Sequence, residues 1–278
     1  MEKTESQHRN DIIDICKRVH SNGWVAANDG NISVRTGPDT VLCTPTGMSK
    51  GYLTPDQLIK VNLEGKVLEG FLAPSSEMKM HLDVYRHKEN VNAVVHAHPP
   101  YATGFAVAQV PLDTCVMPEI IIGLGSIPLT KFGTPSTMEI PDNIRPFLKE
   151  YNVFLLENHG ALSIGNDVFQ AYYRMESLEL FAKISFVAGL VGKVNVLSED
   201  EVKKVIKIRE QFGLDPVNYP GCRVDGKIIR SADPEGDGGA EKRSAVISGA
   251  GDMEKIEISR DRLVELITRI VKNVLNKV

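Results

Sequence analysis

The segment NVNAVVHAHPP, residues 90–100, sets the tightest condition on how this chain folds. Its apolar middle predicts a buried strand, and Pro99-Pro100 stops that strand abruptly. Side chains alternate along a strand, so His96 and His98 leave the same face of the sheet. Two imidazoles beside Val94-Val95 are poorly placed unless something holds them. A divalent metal is the economical holder, because neutral imidazole is a favoured ligand. The competing reading is two stacked histidines, each hydrogen-bonded locally. His159 ends a second apolar run, VFLLENHG, where Gly160 permits a tight turn. Three imidazoles with one open position are a common catalytic-metal arrangement, against which stands a turn histidine with a local hydrogen bond.

The remaining histidines are plainer. His8, His20 and His87 fall on polar helical stretches and read as solvated. His81 follows Glu77 by one helical turn, and reads as a packing or supporting residue rather than a ligand.

Around these runs the chain alternates irregularly. Residues 5–22 predict an opening helix with Ile12, Ile13, Ile15, Cys16 and Val19 on its apolar face. Between 24 and 72, β-branched runs cut by Gly, Pro and Asn predict a meander of strands. SSEMKMHLDVYRH predicts a helix capped by Ser75 or Ser76. YATGFAVAQ predicts a short helix, IPLTKFG a strand, PDNIRPFLKEY a helix despite Pro146, and VFLLENHGALSIG a hairpin-like pair. VFQAYYRMESLELFAKISFVAGLVG predicts a long buried helix. Without a regular βαβ beat, the expected class is α+β, a sandwich with a largely antiparallel central sheet flanked by helices.

A composition shift follows. Residues 221–252 are rich in Gly, Ser, Ala and Asp and predict a flexible linker. Residues 253–278 predict a tethered amphipathic helix, with Leu263, Ile267, Ile270, Val274 and Val278 in one stripe. The expected organisation is thus a catalytic domain over 1–220, a linker over 221–252 and a terminal helix over 253–278. A net charge of −4 offers no basic stripe for nucleic acid. No apolar run reaches the roughly 18 residues of a membrane span, and the polar N-terminus does not resemble a secretory signal. The four cysteines, Cys16, Cys43, Cys115 and Cys222, are widely spaced and read as reduced thiols of a cytoplasmic protein.

Three segments have the make-up of anion-binding backbone: Asn28-Asp29-Gly30-Asn31-Ile32-Ser33, Thr44-Pro45-Thr46-Gly47 and Pro74-Ser75-Ser76. Turn N–H groups, a helix N-terminus and hydroxyls suit a phosphate, although such turns also occur as ordinary loops. Glu77 follows the third segment. It reads equally as a carboxylate favoured by the helix dipole and as a metal ligand or general base facing the histidines.

Taken in order, GNISVR, TPTGMSKG, PSSEMKMH, VVHAHPPYAT, IPLTKFGT and ENHGAL resemble the class II aldolase/adducin family over residues 8–215. The resemblance implies a zinc enzyme assembled as a fourfold-symmetric tetramer with interfacial active sites. It implies that His96, His98 and His159 hold the metal, with Glu77 as resting ligand and proton carrier. It also implies a phosphate on Gly30, Asn31, Thr46, Gly47, Ser75 and Ser76. The implied reaction cleaves a ketose 1-phosphate, L-fuculose 1-phosphate or L-rhamnulose 1-phosphate, to dihydroxyacetone phosphate and L-lactaldehyde. The metal would act as a Lewis acid for the charge left beside the carbonyl.

Glu77 within the SSE triplet resembles the aldolases, whereas the family's epimerases carry aspartate there. Two family tyrosines are replaced: Met117 stands at one position and Phe212 at the other, with Tyr219 close by. Tyr101, Glu119 and Tyr219 are the candidates for the second acid or steering group. The alternatives on the same scaffold are a pentulose-phosphate 4-epimerase, a sugar-phosphate dehydratase and an adducin-like scaffold without activity. The linker and terminal helix resemble an encapsulation peptide of bacterial microcompartment enzymes. This implies a shell-protein partner for residues 260–278 and a place in the microcompartment lumen. A coiled coil, a membrane-surface helix and a helix docked on its own domain are the rival readings.

Overall fold

The computed structural model describes residues 3–214 and 219–230. Its centre is an eight-stranded sheet in the order β4-β3-β2-β1-β5-β8-β7-β6. The strands are β1 Asn31–Gly37, β2 Thr40–Cys43, β3 Ile59–Val61, β4 Val67–Glu69, β5 Ala93–Ala97, β6 Leu129–Thr130, β7 Val153–Leu156 and β8 Gly160–Gly165. Every neighbouring pair is antiparallel except β6 with β7. The largely antiparallel class expected from the irregular alternation is the class observed.

The pleat sorts the core into two halves. Val95, Leu155 and Ala161 face a cluster built with α1 (Glu5–Ser21), α3 (Pro100–Val107) and α6 (Val168–Val191). Their chain neighbours Val94, Phe154 and Leu162 face a cluster built with α2 (Met78–His87) and α5 (Glu139–Ile144). Alternate residues of one strand therefore feed two cores, which is why these runs are continuously apolar. Between β2 and β3 lie two short 3₁₀ turns, Lys50–Tyr52 and Pro55–Gln57.

Several local expectations are corrected. Helix α2 begins after Glu77, whose side chain makes no capping bond, and neither Ser75 nor Ser76 occupies the cap. The helix expected over PDNIRPFLKEY ends at Ile144 and tightens to a 3₁₀ turn across Pro146, whose ring cannot donate an N–H to an α-helical ladder. The strand expected over IPLTKFG is only two residues long. The helix expected to be long and buried is long, but its outer half exposes Leu180 and Phe186, and Leu190 is 72% exposed. Helix α7, Glu199–Gln211, has its capping box at Ser198 and Glu201, a signal the sequence reading passed over.

The first ten residues of the expected linker are ordered. Strands β9, Cys222–Val224, and β10, Lys227–Ile229, form a hairpin. It shares a third apolar cluster with α4 (Pro118–Gly123) and α7, through Cys115, Ile121, Val202, Ile206 and Tyr219. Thr114 bridges Arg223, bringing Cys115 and Cys222 to a Cα separation of 5.3 Å, and their sulfurs are bonded. This corrects the expectation of four reduced thiols. The two partners are 107 residues apart in sequence, so only the tertiary bridge reveals them. Cys16 and Cys43 are free and buried. The rest of the expected linker and the terminal helix lie outside the described residues. No helix among the described residues is long and apolar enough to cross a membrane.

Candidate metal centre and anion cradle

Strand register assembles the site. Asn31 is the cross-strand partner of His96, and on the other side of β5 His96 faces Leu162 while Ala97 faces Ala161. The tight β7–β8 turn then carries His159 back beside them. The ring centroids of His96, His98 and His159 are 4.8 to 5.2 Å apart. One ligand atom from each falls within 4.8 Å of the others, so the three could hold a metal ion. Gly160 permits this approach, because a Cβ there would lie 2.5 Å from Cδ2 of His98.

The donor set fits a divalent cation. Nδ1 of His96 lies 2.9 Å from the Ala161 carbonyl oxygen and donates to it. That bond fixes the tautomer and leaves the Nε2 lone pair aimed into the cluster. Nε2 of His96 and Nε2 of His98 stand 3.3 Å apart, two imidazole nitrogens converging on one space. Burial holds the His96 and His98 imidazoles below the usual histidine range, which favours the neutral, ligating form. Nδ1 of His98 is 3.7 Å from Oδ2 of Asp29, a carboxylate orienting its ring.

Glu77 completes the group. Its Oε1 is 3.1 Å from Nε2 of His159 and its Oε2 is 3.4 Å from Nε2 of His96. Burial alone would raise this carboxyl, but the His96 and His159 rings and the Asn31 amide hold it well below the usual carboxylate range. The Asn31 side chain donates to Oε2 at 2.8 Å and to Ser75 Oγ at 3.2 Å. Below Glu77 on α2, His81 is fully buried, its Nδ1 2.7 Å from Ser33 Oγ, which lies 2.8 Å from the Tyr85 hydroxyl. The expected supporting role for His81 is therefore filled by a tie between α2 and β1.

The three anion-type turns meet at the same sheet end. Asn31 pairs with His96, and Pro45 bridges Pro74, which sets the Thr44–Gly47 turn against Ser75-Ser76. Gly30 has a φ of +70°, and a Cβ there would lie 2.6 Å from Val25 and 2.9 Å from the His96 carbonyl oxygen. The Thr46 N–H is already used by the Ala73 carbonyl, leaving its exposed hydroxyl outward. Ser75 Oγ accepts from both Asn31 Nδ2 and the Glu77 N–H, so its own hydrogen is free to donate. Lys50, which the sequence reading did not single out, is buried nearby.

The three candidates for a second acid have other partners in this chain. Tyr101 packs on Phe186, and its N–H is taken by Glu179. Glu119 is exposed in the first turn of α4. Tyr219 is buried under Arg209, whose guanidinium sits 4.5 Å from its ring centre. Among the described residues, no hydrogen bond or ring contact joins any of them to Glu77 or the three histidines.

The family model for the class II aldolase and adducin N-terminal domain matches residues 10–186. An L-fuculose phosphate aldolase of Methanococcus maripaludis is 32% identical over 177 residues, 64% of this chain and 95% of that protein. A 3-oxo-tetronate 4-phosphate decarboxylase of Escherichia coli is 31% identical over 192 residues, 67% of this chain and 90% of its own length. A solved L-fuculose 1-phosphate aldolase superposes with a TM-score of 0.68 at 26% identity, covering 75% of this chain and 97% of that one.

Proposed function

The chain belongs to the class II aldolase and adducin family and is a lyase-type enzyme; from that premise we propose that it is a zinc-dependent aldolase of ketose 1-phosphates. L-Fuculose 1-phosphate or L-rhamnulose 1-phosphate is the substrate, and dihydroxyacetone phosphate and L-lactaldehyde are the products. The observation that carries the reading is Glu77 set between His96 and His159, beside the strand end that bears Gly30 and Asn31.

In this reading the phosphate lies on the Gly30–Asn31 and Thr46–Gly47 turns and under the Ser75 and Ser76 hydroxyls. Binding so far from the reacting bond fixes the sugar's orientation. Breaking the C3–C4 bond sends the C4 hydroxyl proton to a base and leaves the electron pair on C3, beside the C2 carbonyl. His96, His98 and His159 would hold a divalent metal, which would supply Lewis-acid stabilisation of such a charge. Glu77, ionised at rest, accepts a proton as base and then delivers it to C3, a general acid/base role that Asn31 supports by holding Oε2 in place.

Two further parts belong to the proposal. Copies of the chain assemble as a tetramer with interfacial sites, for which the exposed apolar outer half of α6 is suited. A neighbouring copy then supplies the second acid. Residues 253–278 address the enzyme to a microcompartment shell, where a reactive aldehyde product would be retained. This rests on their apolar stripe alone.

A second reading has its own support in the decarboxylase relative. Loss of carbon dioxide from a 3-oxo sugar acid phosphate would leave the same charge beside a carbonyl. A coupled assay for dihydroxyacetone phosphate on zinc-loaded protein, with Glu77→Gln as control, tests the first. Release from either ketose phosphate that falls in the variant supports it. No release with zinc in place would sink it and bring the 3-oxo acid forward.

A further inference from the structure

Lys50 is 1% exposed, in the short turn that follows the Thr44–Gly47 segment. Its Nζ donates to the Asn28 carbonyl at 2.9 Å and to the Met48 carbonyl at 2.9 Å. Asn28 leads into Gly30-Asn31, and Met48 follows Gly47. One side chain therefore joins the two turns of the anion cradle from beneath.

The charge on that side chain is uncompensated. Among the described residues no carboxylate forms an ion pair with Lys50. Burial lowers its readiness to hold a proton, and Cys16, Asp29 and Glu77 oppose that only from beyond bonding distance. Two carbonyl dipoles solvate an ammonium but do not neutralise it. A buried cation without a partner is costly, and what offsets the cost is an anion brought close from outside. The low-dielectric surroundings that make the lone charge costly also strengthen its pull on such an anion.

We infer that the Lys50 ammonium is the fixed positive charge of the phosphate site, held under both turns and completed by the phosphate of the bound substrate. The inference rests on the sugar-phosphate reading above and deepens it: the cradle selects a phosphorylated sugar by charge as well as by hydrogen bonding. Lys50 is a positioning and specificity residue, remote from the reacting carbons.

The test compares the zinc-loaded wild type with Lys50→Met and Lys50→Gln. Lys50→Gln keeps a donor for the carbonyls and removes the charge. Orthophosphate is the probe, read as a competitive inhibitor and by calorimetry. Both variants are expected to raise its inhibition constant and the KM for the ketose phosphate by about tenfold to a hundredfold, with kcat changed far less. The KM for the phosphorylated ketose should rise at least tenfold more than that for the unphosphorylated ketose, whereas a merely misplaced loop would weaken both alike. Variants that bind orthophosphate as the wild type does would overturn the role of Lys50 and leave the aldolase reading standing. A wild type that neither binds orthophosphate nor cleaves the sugar phosphate would overturn both. If neither variant folds, a crystal structure of the wild type with orthophosphate decides. An anion resting on the two turns above Lys50 supports the inference, and an anion placed elsewhere overturns it.

Discussion

Nδ2 of Asn31 lies 2.8 Å from Oε2 of Glu77, so the end of the central strand β1 grips the carboxylate at the start of α2. The same residue that belongs to the proposed phosphate turn thus also holds the acid in place through its side chain. Hydrogen bonds to charged groups are worth roughly 1.5–3 kcal/mol. Asn31→Ala should therefore lower kcat by about tenfold to a hundredfold while bound zinc stays at the wild-type level. Steady-state release of dihydroxyacetone phosphate, beside metal analysis, reads both. Unchanged turnover would mean that Glu77 is positioned without this bond.

Removal of metal gives a second expectation. Dialysis against a chelator should abolish turnover, and added zinc should restore it. His98→Ala should bind zinc more weakly by at least tenfold, because one of three imidazoles is lost and only a carboxylate remains to replace it. Metal content by mass spectrometry checks this. A His98 variant that retains zinc through dialysis would exclude His98 from the ligand set.

The tie between α2 and β1 should leave a mark on stability. Burial holds the His81 imidazole down to about 4. Unfolded, it returns to about 6.5 and takes up a proton first as the pH falls. The contribution of neutral His81 is therefore complete above pH 6.5, is lost progressively between about 6.5 and 4, and changes no further below that. The loss amounts to roughly 3 kcal/mol. In urea titrations across this window, His81→Gln should show a shallower decline than the wild type. Parallel curves would show that His81 is not kept neutral by the fold.

The hairpin carries a fourth test. Native protein under non-oxidising denaturation should show two reactive thiols, from Cys16 and Cys43, and four after reduction. Cys222→Ser should lower stability by roughly 2–4 kcal/mol, as expected for a bridge closing a long loop. It should spare zinc binding, because the bridge belongs to a separate apolar cluster with Ile121, Val202, Ile206 and Tyr219 that contains none of the three histidines. Four titratable thiols in the unreduced chain would refute the bridge.

The parts of the fold that could be read in advance were those written in local periodicity. The alternation of β5 put His96 and His98 on one face, and the Gly160 turn put His159 beside them, as the pattern predicts. The opening helix, the four-strand meander and the β7–β8 hairpin follow from runs a few residues long. What escaped depends on contacts between distant segments. Nothing beside Lys50 in the chain says that its amine reaches Asn28. Ser33, His81 and Tyr85 belong to β1 and α2 and meet only when the strand and helix pack. Cys115 and Cys222 are paired by a bridge between a loop and a hairpin. The outer half of α6 reads as core because its composition is apolar, while its exposure depends on what packs there.

The alternation of Val94 and Val95 between the two cores makes the pairing of β5 an all-or-nothing variable. Deleting one residue upstream of His96 would send each apolar side chain to the opposite layer and carry both imidazoles away from Glu77 at once. The chemistry and the fold are thus not separate traits that variation can tune independently along this strand. Sliding is closed to it, and change has to come by substitution at the strand's ends, where the turns of the proposed anion cradle begin.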